Sequence, residues 1–320
     1  MAAYILRRII QAIPIVIGVA IVAFFIVRLA PGSPVDKFRG GRVSPEVIAN
    51  IIKLYQLDQP LPNQLWSWIT TFPQVWRPDA WGYSFTDGKP VLVDLGNKIP
   101  STMLLMGTSL VLTAIISIPL GILGAVKQYS RSDKVITILA TIGYAMPTFW
   151  LGFMLRTVFG ANLKWFPLFG AQTLGQTGLN VPDLLWHLVL PVTTLTIVAV
   201  AGWSRYMRSS MLEVLRQDYV RTAKAKGLSN NRVIYRHALR NALIPIVTLF
   251  GLSIPALLSG AAVTESVYSW PGLGYLAVDA VRTRDYPIVL AFVMIGAIMV
   301  ILGNLIADIM YAFVDPRIKY

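Results

Sequence analysis

Long apolar runs, separated by shorter polar connections, set the pattern of this chain. A membrane-spanning helix needs about 20 predominantly apolar residues. Six runs reach that length: 9–29, 101–126, 135–159, 184–203, 242–264 and 288–313. Few charges interrupt them, although Pro191 lies within the fourth. The pattern predicts an all-α, polytopic membrane protein with about six transmembrane helices, in which residues 1–320 form one membrane domain.

The longest polar connection, residues 30–100, predicts a small cap on the outer surface. Within it, "SPEVIANIIKLYQL" places Ser44 as a helix N-cap and Pro45 at the first helical position. Apolar positions 47, 48, 51, 52 and 55 share one face, which is typical of an amphipathic surface helix. Four tryptophans follow whose rings suit the headgroup level: Trp66, Trp68, Trp76 and Trp81. A folded cap and a filler of the membrane interface both fit this pattern.

Composition also indicates a membrane protein. Hydrophobic residues make up 55% of the chain and charged residues 13%, with a mean hydropathy of +0.62. Soluble domains carry about 25% charged residues, so the shortfall indicates an integral membrane protein. The chain has no cysteine, and its two histidines, His187 and His237, lie far apart. Disulfides, thiolate chemistry and cysteine metal sites are therefore excluded, and no HExxH-like spacing occurs.

The net charge of +13 follows from where the cations collect. Short cytoplasmic loops of membrane proteins are enriched in Lys and Arg. Four groups of cations flank the runs: Arg7 and Arg8; Lys127, Arg131 and Lys134; the nine from Arg205 to Arg240; and Arg317 with Lys319. Six crossings put all four groups on one side, so both termini are predicted to be cytoplasmic. The first run is longer than a signal-peptide core and lacks a cleavage site, which favours a retained anchor.

Ionisable residues are rare inside the runs, and this argues against one class of membrane protein, the ion-driven carrier. Ion-driven carriers place Asp, Glu or His at mid-membrane, and the runs offer no such relay. Arg156 lies near the outer end of the third run, where snorkelling to the interface competes with a pathway-lining position. Asp308 lies near the inner end of the sixth run and is interpreted as a charge at the end of a helix. With no GxxxxGK[ST] loop and no catalytic constellation, the chain is expected neither to hydrolyse nucleotides nor to be an enzyme.

The connection 204–241 has an unusual organisation. Helix-forming residues run from Arg205 to Lys226, Gly227 breaks the pattern, and Ser229 or Asn230 can cap a second helix. A loop that merely retains positive charge on one side does not need this helix–glycine–helix order. Nucleic-acid binding is disfavoured because only two rings, at positions 219 and 235, accompany the cations.

Several stretches, taken in order, resemble a known family. "RLAPGSP", "LDQPLPNQLWSWI", "GYSF", "KIPSTMLL", "IPLGILGAVK", "MPTFWLGFML", "LKWFPLFG" and "TESVYSWPGLGYLAVDAVRTRDYPIV" occur in the family's order and spacing. Nearly the whole chain is thereby similar to the transmembrane permease subunit of binding-protein-dependent ABC importers, in the dipeptide/oligopeptide branch. The resemblance implies that branch's type I importer permease fold.

The resemblance implies that 204–241 is the coupling loop, whose short helix docks on a cytoplasmic ATPase. In the family's EAA motif, Arg221 stands at the glutamate, Thr222 at the first alanine and Ala223 at the second, with Gly227 at the glycine. Leu239-Arg240 stands where Leu-Pro often closes the motif, and the contacts of the missing glutamate are not carried over. The expected coupling residues are Asp218, Tyr219, Arg221, Thr222, Ala223, Lys224, Ala225, Lys226 and Gly227. Short side chains at positions 223 and 225 suit a helix that seats in a groove.

The resemblance also implies partners and a location. These are a second, related permease, two ATPase subunits that bind ATP and Mg²⁺, and an extracytoplasmic solute-binding protein that meets 30–100 and 265–287. The chain itself is expected to hold no cofactor and no metal and to lie, in contact with lipid, in the cytoplasmic membrane of a prokaryote. The predicted function is ATP-driven import of di- or oligopeptides by alternating access. Nickel chelates, glutathione and oligosaccharides are alternative solutes, and an ion-coupled secondary carrier is the alternative of another class.

Overall fold

The computed structural model describes residues 2–29, 44–176, 178, 180–259 and 261–314, which fold mainly as helices. In chain order these are α1 Ala2–Leu29, α2 Pro45–Leu54, α3 Leu61–Thr71, α4 Val91–Val126, α5 Arg131–Ala145, α6 Thr148–Leu155, α7 Val181–Leu215, α8 Asp218–Ala225, α9 Asn230–Arg232, α10 Leu239–Ala242, α11 Ile244–Ser259, α12 Ala262–Tyr268, α13 Leu273–Thr283 and α14 Tyr286–Val314. Arg156–Asn162 continues α6 as a π-helix, and Val233–Ala238 joins α9 to α10 in the same way. Within the described ranges the sole β-type pairing is a bridge between Tyr83 and Pro90.

Four helices are long and apolar enough to cross a membrane alone: α1, α4, α7 and α14. Two bent pairs pass the same test together, namely α5 with α6 and its π-helical continuation, and the α9–α10 segment with α11. The described residues therefore contain four to six candidate spans. This confirms the predicted all-α, polytopic class, since a helix satisfies its backbone hydrogen bonds internally within lipid.

The third predicted run, 135–159, is not a straight helix. α5 ends at Ala145, Met146 is extended with φ −75° and ψ 126°, and α6 begins after Pro147. Proline lacks an N–H donor and disfavours helical backbone in the residue before it. The expected single span is therefore two helical pieces that meet at 103°.

The fourth run is far longer as a helix than 184–203. α7 has 35 residues and continues through Pro191, and the Asn180 side chain accepts a hydrogen bond from the N–H of Asp183 at its start. Its last turns cover residues that the sequence assigned to the loop 204–241. The predicted continuous helix from Arg205 to Lys226 is wrong, because a turn at residues 216–217 separates α7 from α8.

The second and fifth runs also change their bounds. α4 begins at Val91, ahead of the predicted start at 101, and passes through Pro100 and Pro119. The fifth is bent by 42° between α10 and α11, and α11 ends at Ser259. α12 is a separate short helix. The sequence could not place this end, because 242–264 contains no charged residue that would mark it.

Helices α4 and α7 pack along each other and form the centre of the bundle. The two helices approach closely at Gly121, where an added Cβ would overlap the side chain of Met207. Small residues allow such close contact between membrane helices. Two to three turns earlier on α4, Ser109 and Thr113 are buried, and the Thr196 hydroxyl of α7 lies 3.5 Å from that of Ser109.

The cap is a folded unit rather than a simple interfacial filler in its described part, 44–90. Pro45 is the first residue of α2, as predicted. Trp81 is buried, stacks on Phe72 at 5.0 Å between centroids, and donates its indole N–H to the Phe72 carbonyl at 2.8 Å. Trp68 packs on Phe24 of α1. Trp66 and Trp76 are instead 71% and 75% exposed, so two of the four rings are free to meet headgroups.

Some predictions fall on parts of the chain outside the described residues. These include "RLAPGSP" from position 30 onward and the terminal cations Arg317 and Lys319. The side chain of Asp308 is also outside the description.

Candidate functional site

A short helix projects from the end of α7 and carries the residues that the sequence singles out. The chain turns at Arg216 and Gln217, and Gln217 is extended at ψ 148° before α8 begins at Asp218. α8 has eight residues, and Asp218 in its first turn complements the positive end of the helix dipole. The turn separates α8 from α7, so the two helices need not share an axis.

The inner face of α8 is fixed by apolar packing. Val220 is completely buried and Ala223 is 6% exposed. They belong to one cluster with residues of α4, of α7, of the segment 233–242 that returns from α8, and of α11. These are Ile122, Ala125, Trp203, Met207, Met211, Val233, Ile234, Ala238, Ala242 and Ile246. A short side chain at Ala223 therefore allows α8 to pack within the chain. The expectation that Ala223 presents a small surface to a groove of a partner is wrong, because its side chain is covered.

The outer face of α8 is exposed and basic. The exposed predicted residues are Asp218, Tyr219, Arg221, Thr222, Lys224, Ala225, Lys226 and Gly227. Arg221 and Asp218 form an ion pair at 3.4 Å with both side chains largely exposed, which contributes little to stability. Of the two predicted short side chains, only Ala225 faces outward.

Gly227 ends this projection with a left-handed backbone at φ +77°. No atom lies within 4 Å of an added Cβ, so the position has room for a side chain but not a comfortable backbone for one. Glycine adopts positive φ without the steric cost that other residues bear. The sequence identified this break correctly.

Two hydrogen bonds hold the chain that returns from α8, one to α8 itself and one to α7. The Asn241 amide donates to the Tyr219 hydroxyl at 2.7 Å, and the Ser210 hydroxyl of α7 donates to the Ala242 carbonyl at 3.0 Å. The returning end of the loop is thereby held against both α8 and α7. The projection is a braced unit rather than a loose loop.

An ion pair near the base of the projection joins α5 to α7. Arg208 donates to both carboxylate oxygens of Asp133, at 2.7 Å and 2.9 Å. Asp133 also accepts from the Tyr129 N–H at 2.9 Å and is 4% exposed. Gly124 of α4 lies against this pair, where an added Cβ would meet Arg208 at 3.1 Å and Asp133 at 3.3 Å.

Sequence reasoning did not find this pair. Asp133 follows Ser130, whose hydroxyl accepts from the Asp133 N–H in a typical N-cap arrangement. That local signal predicts the start of α5, yet it does not identify Arg208, 75 residues away, as the partner.

Arg156 lies at the other end of the bundle, where α6 becomes π-helical. Its guanidinium lies 4.8 Å from the Phe153 ring centroid and 4.7 Å from that of Phe169, and it donates to the Val267 carbonyl. These contacts hold the guanidinium against the protein, so Arg156 does not extend freely toward the interface. A role in lining a pathway stays a prediction.

The described residues contain no group of three or more His, Cys, Asp or Glu side chains placed to hold a metal ion. The stretch "GLGYLA" has the GxGxxA spacing of a dinucleotide-binding fingerprint, which requires a preceding strand. It begins at Gly272, the N-cap of α13, and no strand precedes it among the described elements, so the match is discarded. The described residues of this site form a basic helix that is suited to binding a partner.

Comparison with known proteins gives two family matches that together cover most of the chain. Residues 117–320 match the model described as "Binding-protein-dependent transport system inner membrane component". Residues 1–106 match "Binding-prot-dependent transport system membrane comp, N-term".

Among curated relatives, the oligopeptide transport system permease protein AppB of Bacillus subtilis is 45% identical over the full length of both chains. The dipeptide transport system permease protein DppB of Alkalihalophilus pseudofirmus is 37% identical, again over 100% of both. The glutathione transport system permease protein GsiC of Salmonella typhimurium is 38% identical over 99% of each.

Among solved structures, an inward-facing form of the MetNI methionine ABC transporter is similar, with a TM-score of 0.54 and 16% identity. The match covers 71% of this chain and 98% of the other. At that identity the likeness concerns the fold.

Proposed function

The chain belongs to the inner-membrane components of binding-protein-dependent transport systems, and from this premise we propose that it imports peptides. It is a permease subunit of an ABC importer and not an enzyme, since ATP hydrolysis belongs to a separate subunit. Peptide is the favoured solute because the 45% and 37% identical relatives are named for oligopeptides and dipeptides. Glutathione, which a 38% identical relative is named for, is itself a modified tripeptide and is the first alternative.

One observation carries the coupling role: α8 is packed on its inner face and basic on its outer face. A rigid, exposed helix at the end of a long bundle helix transmits a push from a soluble partner better than a flexible loop does. α8 is the element on which an ATPase docks. Its exposed residues make the contact, and Val220 and Ala223 hold it in position.

The assembly that fits this role has two permease halves, two cytoplasmic ATPases that carry ATP and Mg²⁺, and an extracytoplasmic solute-binding protein. The basic α8 face lies in the cytoplasm, which puts both termini there and the cap on the opposite side. The protein lies in the cytoplasmic membrane of a prokaryote. Alternating access then follows from rocking of the two halves around a central path.

A direct test starts from the complex purified through an affinity tag on this chain and reconstituted in vesicles with its binding protein. ATP-dependent accumulation of a labelled tripeptide is expected, and unlabelled di- and oligopeptides should compete. Reduced glutathione, nickel chelates and an oligosaccharide serve as competing solutes. Preferential inhibition by one of these would replace peptide as the solute.

The alternative class of carrier is tested in the same vesicles. A proton or sodium gradient is applied in the absence of ATP. Uptake driven by the gradient would contradict the ATP-driven mechanism, whereas the proposed function requires no accumulation under that condition.

A further inference from the structure

A buried carboxylate organises the turn between α12 and α13, hereafter the α12–α13 hairpin (residues 261–283). Glu265 on α12 has no exposed surface. Its Oε1 accepts from the Thr102 hydroxyl at 3.1 Å and from the Ala261 N–H at 3.3 Å, and its Oε2 accepts from the Tyr275 N–H at 2.9 Å. The Gly274 N–H also donates to it. A buried charge survives only with such partners.

Two of these donors, the N–H groups of Gly274 and Tyr275, belong to the first turn of α13, whose N-cap residue makes no side-chain hydrogen bond. Gly272 is its N-cap and offers no side chain. The N–H groups of Gly274 and Tyr275 reach Glu265, and that of Leu273 reaches the Thr102 hydroxyl at 2.8 Å. An acid at a helix N-terminus is favoured by both the free N–H groups and the dipole. Glu265 therefore acts as the cap of a helix in which it does not lie.

Thr102 connects this cap to α4. Its oxygen accepts from Leu273 while its hydrogen is donated to Glu265, so one hydroxyl serves both sides. Gly272 fits closely against the pair, and an added Cβ would overlap both the carboxylate and the hydroxyl. Beside them, the buried Trp270 ring donates to the Ser101 carbonyl at 2.9 Å. The hairpin is thus fixed to consecutive residues of α4.

Burial raises the pKa of Glu265, whereas the hydrogen bonds from Tyr275 and Thr102 act in the opposite direction. All four neighbours donate, so the site suits an acceptor at both oxygens. An amide at this position would face an N–H or O–H donor with its own N–H₂ group. Glutamine has nearly the same shape as glutamate but cannot accept hydrogen bonds at both ends of its side-chain group. Glu265→Gln therefore tests the hydrogen bonding with little change in packing.

We propose that Glu265, together with Thr102, is a positioning residue of the transport cycle that makes the α12–α13 hairpin move with α4 as one unit. The inference rests on the proposed function. α4 runs from this anchor to the Gly121 and Gly124 contacts beside Arg208. A displacement of α8 can therefore be transmitted to the hairpin through α4 alone.

The test uses the absence of cysteine in the chain. Spin labels are attached to cysteines at Met103 on α4 and Asp279 on α13, both exposed, in the full reconstituted complex. The distance distribution is measured without nucleotide and with a trapped ATP analogue. In the parent protein we expect one narrow distribution that does not change with nucleotide. Separation of the labels on ATP binding would overturn the proposal.

Two pairs of variants supply the second readout. Thr102→Val and Glu265→Gln are expected to broaden the distribution and to lower solute-stimulated ATP hydrolysis about tenfold, with basal hydrolysis retained. Thr102→Ser keeps the hydroxyl and should behave as the parent. Thr141→Val is the matched control, since its hydroxyl is exposed and bonds only within its own helix.

The outcomes separate this proposal from the proposed function. Parent-like distances and stimulation in both Thr102→Val and Glu265→Gln would refute the positioning role while ATP-driven uptake stands. If Glu265→Gln does not assemble, Thr102→Val decides, because it removes one hydroxyl and leaves the carboxylate. A parent complex that hydrolyses ATP without accumulating any solute contradicts the proposed function, whatever the distances show.

Discussion

Arg208 on α7 and Asp133 at the start of α5 form a two-point ion pair in which the carboxylate side chain is 5% exposed and the guanidinium 28%. A planar guanidinium can satisfy both oxygens of one carboxylate, so the pair fixes orientation as well as distance. It joins two helices just ahead of the turn that leads into α8. The position suggests a structural role in keeping the base of the projection rigid.

Breaking this pair should destabilise the protein. Asp133→Asn leaves Arg208 without its anion and is expected to cost about 2–3 kcal/mol of unfolding free energy. Arg208→Lys retains the charge but loses the two-point geometry, so a smaller loss is expected. Thermal unfolding of the purified protein in detergent measures both. The matched control is Asp79→Asn, which breaks the exposed Arg77–Asp79 pair and should leave the midpoint unchanged. Equal midpoints for the Asp133 and Asp79 variants would contradict the structural role.

Substitutions at Ala223 and Ala225 distinguish packing from partner contact. Ala223→Leu forces a larger side chain into the cluster beneath α8, with a cost of about 1–3 kcal/mol. Ala225→Leu lies on the exposed face and should leave thermal stability unchanged. Binding of the purified ATPase to each variant is measured by surface plasmon resonance. We expect Ala225→Leu to weaken binding at parental stability. The reverse pattern would show that α8 docks through its other face.

Gly227 is predicted to matter through its backbone. Gly227→Ala must adopt φ +77° with a Cβ, at a cost of roughly 1–2 kcal/mol, whereas asparagine tolerates that region better. We therefore expect uptake to fall in the order glycine, asparagine, alanine, valine. Gly88 in the cap also has positive φ, at +70°, and open space around it, so Gly88→Ala carries the same strain elsewhere. An equal loss of uptake in the Gly88 and Gly227 alanine variants would argue against a special role for the end of α8.

Charge reversal on the outer face should uncouple hydrolysis from uptake. Lys224→Glu and Lys226→Glu replace attraction to an acidic partner surface with repulsion, which affects association rate and its dependence on salt. We expect ATP-dependent uptake to fall about tenfold or more in the double variant, with membrane insertion unchanged. Lys53→Glu on α2 makes an equal change of charge in the cap. Unchanged uptake in the double variant, or an equal loss with Lys53→Glu, would count against docking through these lysines.

Membrane class, helix content and the break at Gly227 could all be predicted from the sequence, because each depends on local composition or on one residue's backbone preference. Pro147 lies at a break between two helices, whereas Pro119 and Pro191 lie inside unbroken helices. Whether a proline ends a helix depends on neighbours that re-satisfy the freed carbonyl. The sequence alone does not contain those neighbours.

The interactions that brace the site were not predictable for a similar reason. Asp133 with Arg208, and Glu265 with Thr102, join positions 75 and 163 residues apart. No local pattern distinguishes such acids from surface charges. Ala223 shows the opposite error: the family motif drew attention to a small residue, and only the fold shows that its side chain points inward.

The length of α7 has a consequence for lipids. Taking Arg205, the first cation along α7, as the edge of the hydrocarbon leaves residues 205–215, about 16 Å of helix at 1.5 Å per residue, outside it. Headgroups fill roughly 5–8 Å of that distance, and salt screens charge beyond about 8 Å at physiological ionic strength. The end of α7 is thereby carried beyond the headgroups, toward the aqueous side on which we propose that the ATPase docks.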